Sequence, residues 1–293
     1  MRSEMPAGSP ARPPMKVCIL HGPRAEQSVI DRAFTALRER QVEAWEAHRD
    51  GPVSALAGQL KDTTLVLTLG GDGTFLAGAR LAAPRRLAIL GVNLGRLGFL
   101  TELESDQLED GLSRFLEGAY RIEERTILQV GLSRQGRSVV KSIGLNEVVV
   151  DRAGEARMLR VEIEVGGQEV GVIDADGVMV ATATGSTAYA LASGGPILEP
   201  TLRDLVLVPM NPFALTVRPI VFPPRQDITL SVVRGPAEMR IDGRSGWAVE
   251  AGDMLRCGSH PRRLKVVRFS PPEGFYRRLG ERLGWGRPLV PMK

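Results

Sequence analysis

Residues 64–74 read TLVLTLGGDGT, and how this stretch is read decides the fold. Residues 64–69 alternate β-branched and leucine side chains, the pattern of a strand buried in a parallel sheet. Gly70, Gly71 and Gly73 follow at once, and Thr74 opens an amphipathic run through Phe75, Leu76, Ala79, Leu81 and Ala82. Strand, glycine turn and helix start, in that order, set backbone N–H groups and a helix N-terminus where an anion can sit. Small residues there also let a phosphate approach the backbone. Asp72 is the odd member, a carboxylate in a loop otherwise built to receive negative charge. Its chemistry suits a proton or a metal better than a phosphate. Taken alone, the stretch also reads as a plain βα turn with Asp72 capping the helix.

On either side of this turn strand and helix alternate. KVCIL (16–20) is a short strand, and residues 26–41 carry Val29, Ile30, Ala33, Phe34 and Leu37 on one helical face. Residues 42–45 read as a second strand, 53–60 as a short helix, and 87–90 as a strand running into GVNLGRLGF. Ser105 caps a helix with Leu108, Leu112, Phe115 and Leu116 on one face, and Gly118 stops it. Residues 15–120 are therefore expected to form a parallel α/β domain. From residue 121 the texture changes to short runs with alternating polarity: Val161, Ile163 and Val165 in, Glu162 and Glu164 out. Runs at 139–150, 178–182, 205–209, 228–233 and 264–269 and the turn pairs Gly166-Gly167 and Asp242-Gly243 predict an antiparallel all-β domain over 121–270. Residues 271–293 hold Phe275, Leu279 and Leu283 at helical spacing, a terminal helix expected to dock on the first domain. Residues 1–14, rich in Pro, Gly and Ser, are expected to be a disordered tail.

Composition narrows the function. The 293 residues are 43% hydrophobic and 25% charged, ordinary for a soluble protein of about two domains. A net charge of +4 fits an anionic ligand, but the basic residues are scattered and only 5% of the chain is aromatic, so no nucleic-acid footprint is read. Cys18 and Cys257 lie far apart, as buried thiols of a reducing cytoplasm would. Three histidines without clustered cysteines give no dedicated metal site, and no apolar run is long enough to cross a membrane.

Four further stretches are over-specified for packing: GVNLGRLGF (91–99), Asn146-Glu147, Asp174-Ala175-Asp176-Gly177, and ATATGSTAYALASGGPI (181–197). Small and hydroxyl residues let a ligand lie on the backbone and bond its polar edges. Singly, Asn146-Glu147 also reads as a β-bulge, Asp176-Gly177 as a hairpin turn, and 181–197 as the entry of a small-residue helix. There is no G-x-G-x-x-G after a strand, no P-loop, and no G-x-S-x-G elbow around Ser186.

Together GGDGT, GVNLGRLGFLTE, LNEVVVDR, DGVMVATATGSTAYALASGGPI and FYRRLGERLGWG resemble the NAD kinase family, in its order, from about Met15 to Gly286. GGDGT alone is shared with lipid kinases of the diacylglycerol type; TGSTAY-GGPI with Asn146-Glu147 is the specific part. The resemblance implies an α/β domain plus a β domain. It also implies transfer of the γ-phosphate of ATP, or of polyphosphate, to the 2′-hydroxyl of the adenosine ribose of NAD, giving NADP. It makes Asp72 the proton acceptor and Gly70, Gly71, Gly73 and Thr74 the phosphate loop. Asp72, Gly73, Asn146, Glu147, Arg157, Asp174, Asp176 and the run Thr187, Ala188, Tyr189, Ala190, Leu191, Ala192 fall at its NAD-contact positions. A divalent cation, Mg²⁺, carried with ATP, a cytoplasmic location and a homodimer or homotetramer are likewise implied. The chain departs from the pattern at Ala183 (usually Pro), Phe213 (commonly His) and Arg244 (frequently Gln). Two rival functions are a lipid kinase sharing the GGDGT turn and a non-catalytic dinucleotide sensor.

Overall fold

The glycine turn sits at the C-terminal edge of a mostly parallel sheet. The structure, a computed structural model, describes residues 15–51, 56–95, 98–154, 156–244 and 246–285. The expected tail 1–14, the first residues of the 53–60 helix, Arg96 and Leu97 lie outside the described residues, as does Gly286. Strands β1 (Lys16–His21), β2 (Glu43–His48), β3 (Leu65–Leu69) and β4 (Ala88–Asn93) pair in parallel in the order β2-β1-β3-β4, and the short β5 (Leu103–Glu104) also adds to β4. One face of this sheet, with Cys18, Leu20, Val66 and Ile89, packs on Phe75 and Ala79 of α3 (Asp72–Ala82). The other face, with Val17, Ile19, Leu67 and Leu90, is covered by Ile30 and Leu37 of α1 (Gln27–Arg38) and Leu108 and Leu112 of α4 (Leu108–Glu117). Burial on both faces is what made β3 a continuous apolar run. The helix starts two residues before the expected Thr74, with Gly71 as its extended N-cap and Asp72 in its first turn. A 3-10 turn at Ser105–Gln107, boxed by Glu104 and Gln107, precedes α4, so the cap lies at Glu104 rather than Ser105.

Twelve further strands form two six-stranded antiparallel sheets. The first contains β7 (Leu128–Arg134), β8 (Arg137–Gly144), β10 (Leu159–Val165), β11 (Gln168–Ala175), β15 (Ile228–Arg234) and β18 (Met254–Ser259), in the order β11-β10-β15-β18-β7-β8. The second contains β9 (Glu147–Arg152), β12 (Gly177–Thr182), β13 (Leu205–Met210), β14 (Ile220–Phe222), β16 (Ala237–Ile241) and β17 (Trp247–Val249), in the order β14-β13-β12-β9-β16-β17. Val130, Ile163 and Leu230 of the one meet Val148, Val180 and Met239 of the other across a common core. The second sheet is buried on its far side too, where Val149, Met179 and Val208 pack under Ala190. Each such side chain stabilises the sandwich by roughly 1.5–3 kcal/mol, which is why these strands tolerate almost no polar residue.

Two of the over-specified stretches mark places where the chain leaves one sheet for the other. It crosses from β8 to β9 at Leu145-Asn146, and from β11 to β12 at Asp176. Asp176-Gly177 is therefore a crossover between sheets, not a hairpin. Two strands depart from the sequence reading. Residues 121–125 and 264–269 were expected in the antiparallel all-β domain, but β6 (Arg121–Arg125) and β19 (Leu264–Arg268) lie in the first sheet, β19 parallel to β4 and antiparallel to β6. A five-residue apolar strand carries the same alternation in either setting, so its partner was not legible. The last helix, α6 (Gly274–Leu283), buries Phe275 and Leu279, and its Arg282 guanidinium lies 4.7 Å over the Phe99 ring. No helix among the described residues is long and apolar enough to cross a membrane.

Candidate active site

Asp72 is held from outside its own loop. Its carboxylate accepts the N–H groups of Phe99 (2.9 Å) and Leu100 (3.1 Å). Gly98 makes this approach possible, because a Cβ at that position would overlap the carboxylate. GGDGT and the end of GVNLGRLGF, read as separate stretches, are thus one structure. Two of the carboxylate's four lone-pair positions are taken, and the others remain for a ligand. Beside it, a cleft of about 400 Å³ is lined by Gly70, Gly71, Gly73, Thr74, Arg24 and Arg49. Two guanidiniums and the start of α3 at Gly71–Gly73 give it a positive character that suits an anion, while the Gly70 and Thr74 N–H groups are already bonded to Val92 O and Gly71 O.

Asn146 and Glu147 pack under the Thr182–Tyr189 turn. The Thr182 hydroxyl donates to Leu145 O (2.6 Å), the Thr182 N–H donates to Asn146 O (2.9 Å), and Gly185 lies so close to the Asn146 backbone that no Cβ would fit there. Asp242, at positive φ, orders the same turn by accepting N–H bonds from Leu145, Asn146 and Glu147. Glu147 is buried. Burial pushes its carboxyl up to about 8; the Asp242 charge adds to the rise, and the Tyr189 N–H it accepts opposes it. At neutral pH it carries a proton and can donate. Asn146 Oδ1 and Glu147 Oε2 are both buried with no hydrogen-bond partner. Buried polar atoms are almost always paired, so two adjacent orphans point to a bound polar molecule. Thr187, Ala188 and Leu191 are half-buried around this turn, Tyr189 and Ala192 are exposed, and Ala190 faces the core of the second sheet. Ala190 can therefore offer a ligand only its backbone.

A second cleft of about 470 Å³ lies between the glycine loop and the Asp242–Arg244 corner, lined by Gly73, Leu76, Arg49, Arg80, Asp242 and Arg244. Arg80 is half-buried. Burial lowers its pKa, as do the charges of Arg244 and Arg49, while Asp242 opposes them. Three cations on one cleft favour an anion between them. Sequence reading missed Arg49 and Arg80 and left Arg244 without a role; scattered arginines carry no local signal. Near Asp72, burial lowers Arg282, and the charge of Asp72 counters this.

Arg157, Asp174 and Asp176 are not part of this assembly. Asp174 pairs with Arg160 (2.6 Å) and Arg234 (3.2 Å), Asp176 accepts from Arg152 (2.8 Å) and Asn211 (3.0 Å), and Arg157 is exposed. Along β9 and β12, Ala181 faces Glu147 whereas Gly177 faces Asp151. Asp176 thus lies about 17 Å from the Glu147 end, at ~3.4 Å per residue. The exposed Phe213 and Leu215 adjoin it, the Phe213 N–H bonding Asp174 O (2.9 Å). Among the described residues no three His, Cys, Asp or Glu side chains gather as metal ligands.

Both halves of the chain match known proteins. Residues 27–120 match the family model of the ATP-NAD kinase N-terminal domain, and residues 145–269 that of the ATP-NAD kinase C-terminal domain. The NAD kinase of Heliobacterium modesticaldum is 42% identical over 238 residues, 80% of this chain and 84% of that one. An NAD kinase from Archaeoglobus fulgidus, solved in complex with ATP, superposes with a TM-score of 0.74 at 26% identity, covering 91% of this chain and 98% of that one. Yeast NADH kinase, solved with NADH, shares the fold with a TM-score of 0.88 at 22% identity, covering 97% of this chain and 91% of that one.

Proposed function

The chain belongs to the ATP-NAD kinase family, and from that premise we propose that it transfers the γ-phosphate of ATP to the 2′-hydroxyl of the adenosine ribose of NAD, giving NADP. The observation that carries the reading is the seating of Asp72 at the start of α3, whose neighbour Gly73 lines one cleft with Asp242, the residue that orders the Asn146-Glu147 turn with its two orphaned polar atoms.

A ribose hydroxyl is a poor nucleophile until its proton is accepted, and a positioned carboxylate does this. The Phe99 and Leu100 N–H groups fix the orientation of Asp72. Asn146 and the protonated Glu147 hydrogen-bond the sugar and neighbouring groups of NAD, with Thr187, Ala188, Tyr189, Leu191 and Ala192 around them. Gly70, Gly71, Gly73 and Thr74 receive donor phosphates, whether of ATP or of polyphosphate, and Arg49, Arg80 and Arg244 supply positive charge to the phosphates in the adjoining cleft. Phosphoryl transfer asks for alignment and charge neutralisation more than covalent chemistry. Mg²⁺ enters with ATP as part of the substrate.

Arg157, Asp174 and Asp176 reach NAD only if another copy of the chain brings them. We therefore place them on the site of a neighbouring subunit in a homodimer or homotetramer joined near Phe213 and Leu215. The free, buried thiols of Cys18 and Cys257 suit the cytoplasm.

Purified protein given ATP, Mg²⁺ and NAD tests the reading, with NADP measured by an NADP-specific dehydrogenase and assembly by sedimentation of the same preparation. NADP formation by a dimer or tetramer is expected. NAD binding without turnover would leave the sensor, phosphorylation of diacylglycerol instead would leave the lipid kinase, and an active monomer would remove the shared site.

A further inference from the structure

The loop that holds Asp72 is itself held, by charged side chains buried at the joint between the first sheet and the rest of the chain. Leu100, which gives its N–H to Asp72, has its carbonyl bonded by Arg268 Nη1 at 3.0 Å. Arg268 is 1% exposed. It also pairs with Glu102 (3.1 Å) and, through Nε, with Glu123 Oε1 (3.0 Å). Glu102 closes the loop onto the end of β19 by accepting the N–H groups of Phe269 (2.8 Å) and Ser270 (2.7 Å). Glu123 Oε1 accepts Arg125 Nε at 2.8 Å, and Glu123 Oε2 is met by Arg121 at 3.1 Å. Arg125, 3% exposed, reaches the hydroxyl of Thr184 at 3.3 Å. Thr184 is the residue from which the turn toward Tyr189 starts, and its carbonyl accepts the Thr187 hydroxyl. The chain of contacts is unbroken from Asp72 through Leu100, Arg268, Glu123 and Arg125 to Thr184.

We propose that Arg268, Glu123 and Arg125 form a positioning bridge that fixes the Asp72 loop relative to the Thr184–Tyr189 turn, so that the proton acceptor and the nucleotide it serves are set by one buried chain. This rests on the reading of Asp72 as proton acceptor. Folding alone does not call for such a set, because apolar residues of similar volume serve burial as well or better than buried ions. The placement is informative: the strands that carry the bridge, β6 and β19, lie at the joint between the α/β layer and the sandwich. Glu123 and Arg125 are firmly charged. Burial alone would raise Glu123, but Arg125 and Arg268 outweigh it and hold its carboxyl at about 2. Burial, with the charge of Arg268, lowers Arg125 to about 10 against the pull of Glu123. Arg278 of α6 feels Arg268, Glu102 and Glu123 as well, so the terminal helix completes the electrostatic surroundings. Glu123 and Arg125 stay ionised across the neutral range, and the bridge is a fixed brace rather than a pH switch.

A double-mutant cycle tests it. Arg268→Lys keeps the positive charge and loses the fork that reaches Leu100 O; Thr184→Val removes the far acceptor and keeps the shape. Turnover, the Michaelis constant for NAD and melting temperature are measured for wild type, both single variants and the double. Each single variant is expected to lower turnover several-fold, and the double to fall short of the product of the two by at least about two-fold, the lower end of coupling between linked residues. Multiplying effects, or lowered melting temperatures with unchanged turnover per folded enzyme, would overturn the bridge. If Arg268→Lys does not fold, Glu102→Gln takes its place in the cycle, keeping shape and an acceptor oxygen. Asp72→Asn run alongside separates the two claims: a still-active Asp72→Asn removes the acceptor reading, whereas an inactive one with multiplying effects in the cycle removes the bridge alone.

Discussion

Glu147 shows how burial converts a common side chain into a donor. The folded chain holds its proton up to about 8, against 4.5 for the unperturbed group. For a carboxylate the sign follows directly. Between those two values the folded state binds the proton and the unfolded state does not, so stability falls as pH rises through the window. Below 4.5 the group contributes nothing either way. At about 1.4 kcal/mol per pH unit the full effect is on the order of a few kcal/mol. Glu147→Gln, neutral at every pH, is therefore expected to melt near wild type at pH 5 and increasingly above it toward pH 8.5. Melting curves at a series of pH values check this; a wild-type-to-Gln difference that does not change with pH would mean that Glu147 is ionised in the folded chain.

Elements, more than residues, decide where Asp72 points. Helix α3 and β3 deliver it, but the segment after β4 holds it, with Gly98 admitting the carboxylate. Gly98→Ala should fold, at a cost of ~1–3 kcal/mol for overpacking. Displacing the carboxylate by about an ångström should cost turnover on the order of 10²-fold. Kinetics and a melt of the same preparation check it, and turnover within about two-fold of wild type would show that the held orientation is not the reactive one. The same segment marks the limit of sequence reading. GGDGT was legible as strand, turn and helix because it is local, and the three glycines of 91–99 flagged a special loop. That the two stretches touch was not legible, since nothing in spacing records a contact between residues 27 apart. The insertion of β19 beside β4 escaped for the same reason, and with it Arg268, Glu123 and Arg125, whose burial has no local signal in the sequence.

In the whole molecule three sheets are arranged so that one α/β layer presents the glycine loop of Asp72 and a two-sheet sandwich presents the Thr182–Tyr189 turn. The sandwich meets the loop where the chain passes between sheets at Leu145-Asn146, and Leu145 packs in the same apolar cluster as Phe75 and Ala79 of α3. Asp176, at the other crossing, is turned away from this joint, which is the ground for a site shared between copies. Everything in this arrangement converges on one carboxylate, so the direct measurement is the turnover of Asp72→Asn beside its thermal melt and its affinity for NAD. Asn is nearly isosteric and still accepts a hydrogen bond through its amide oxygen, but it cannot take a proton. The variant is expected to fold and bind NAD as wild type does while turnover falls at least ~10²-fold, the lower end of general-base catalysis. Turnover above about a tenth of wild type, well outside that range, would contradict the account.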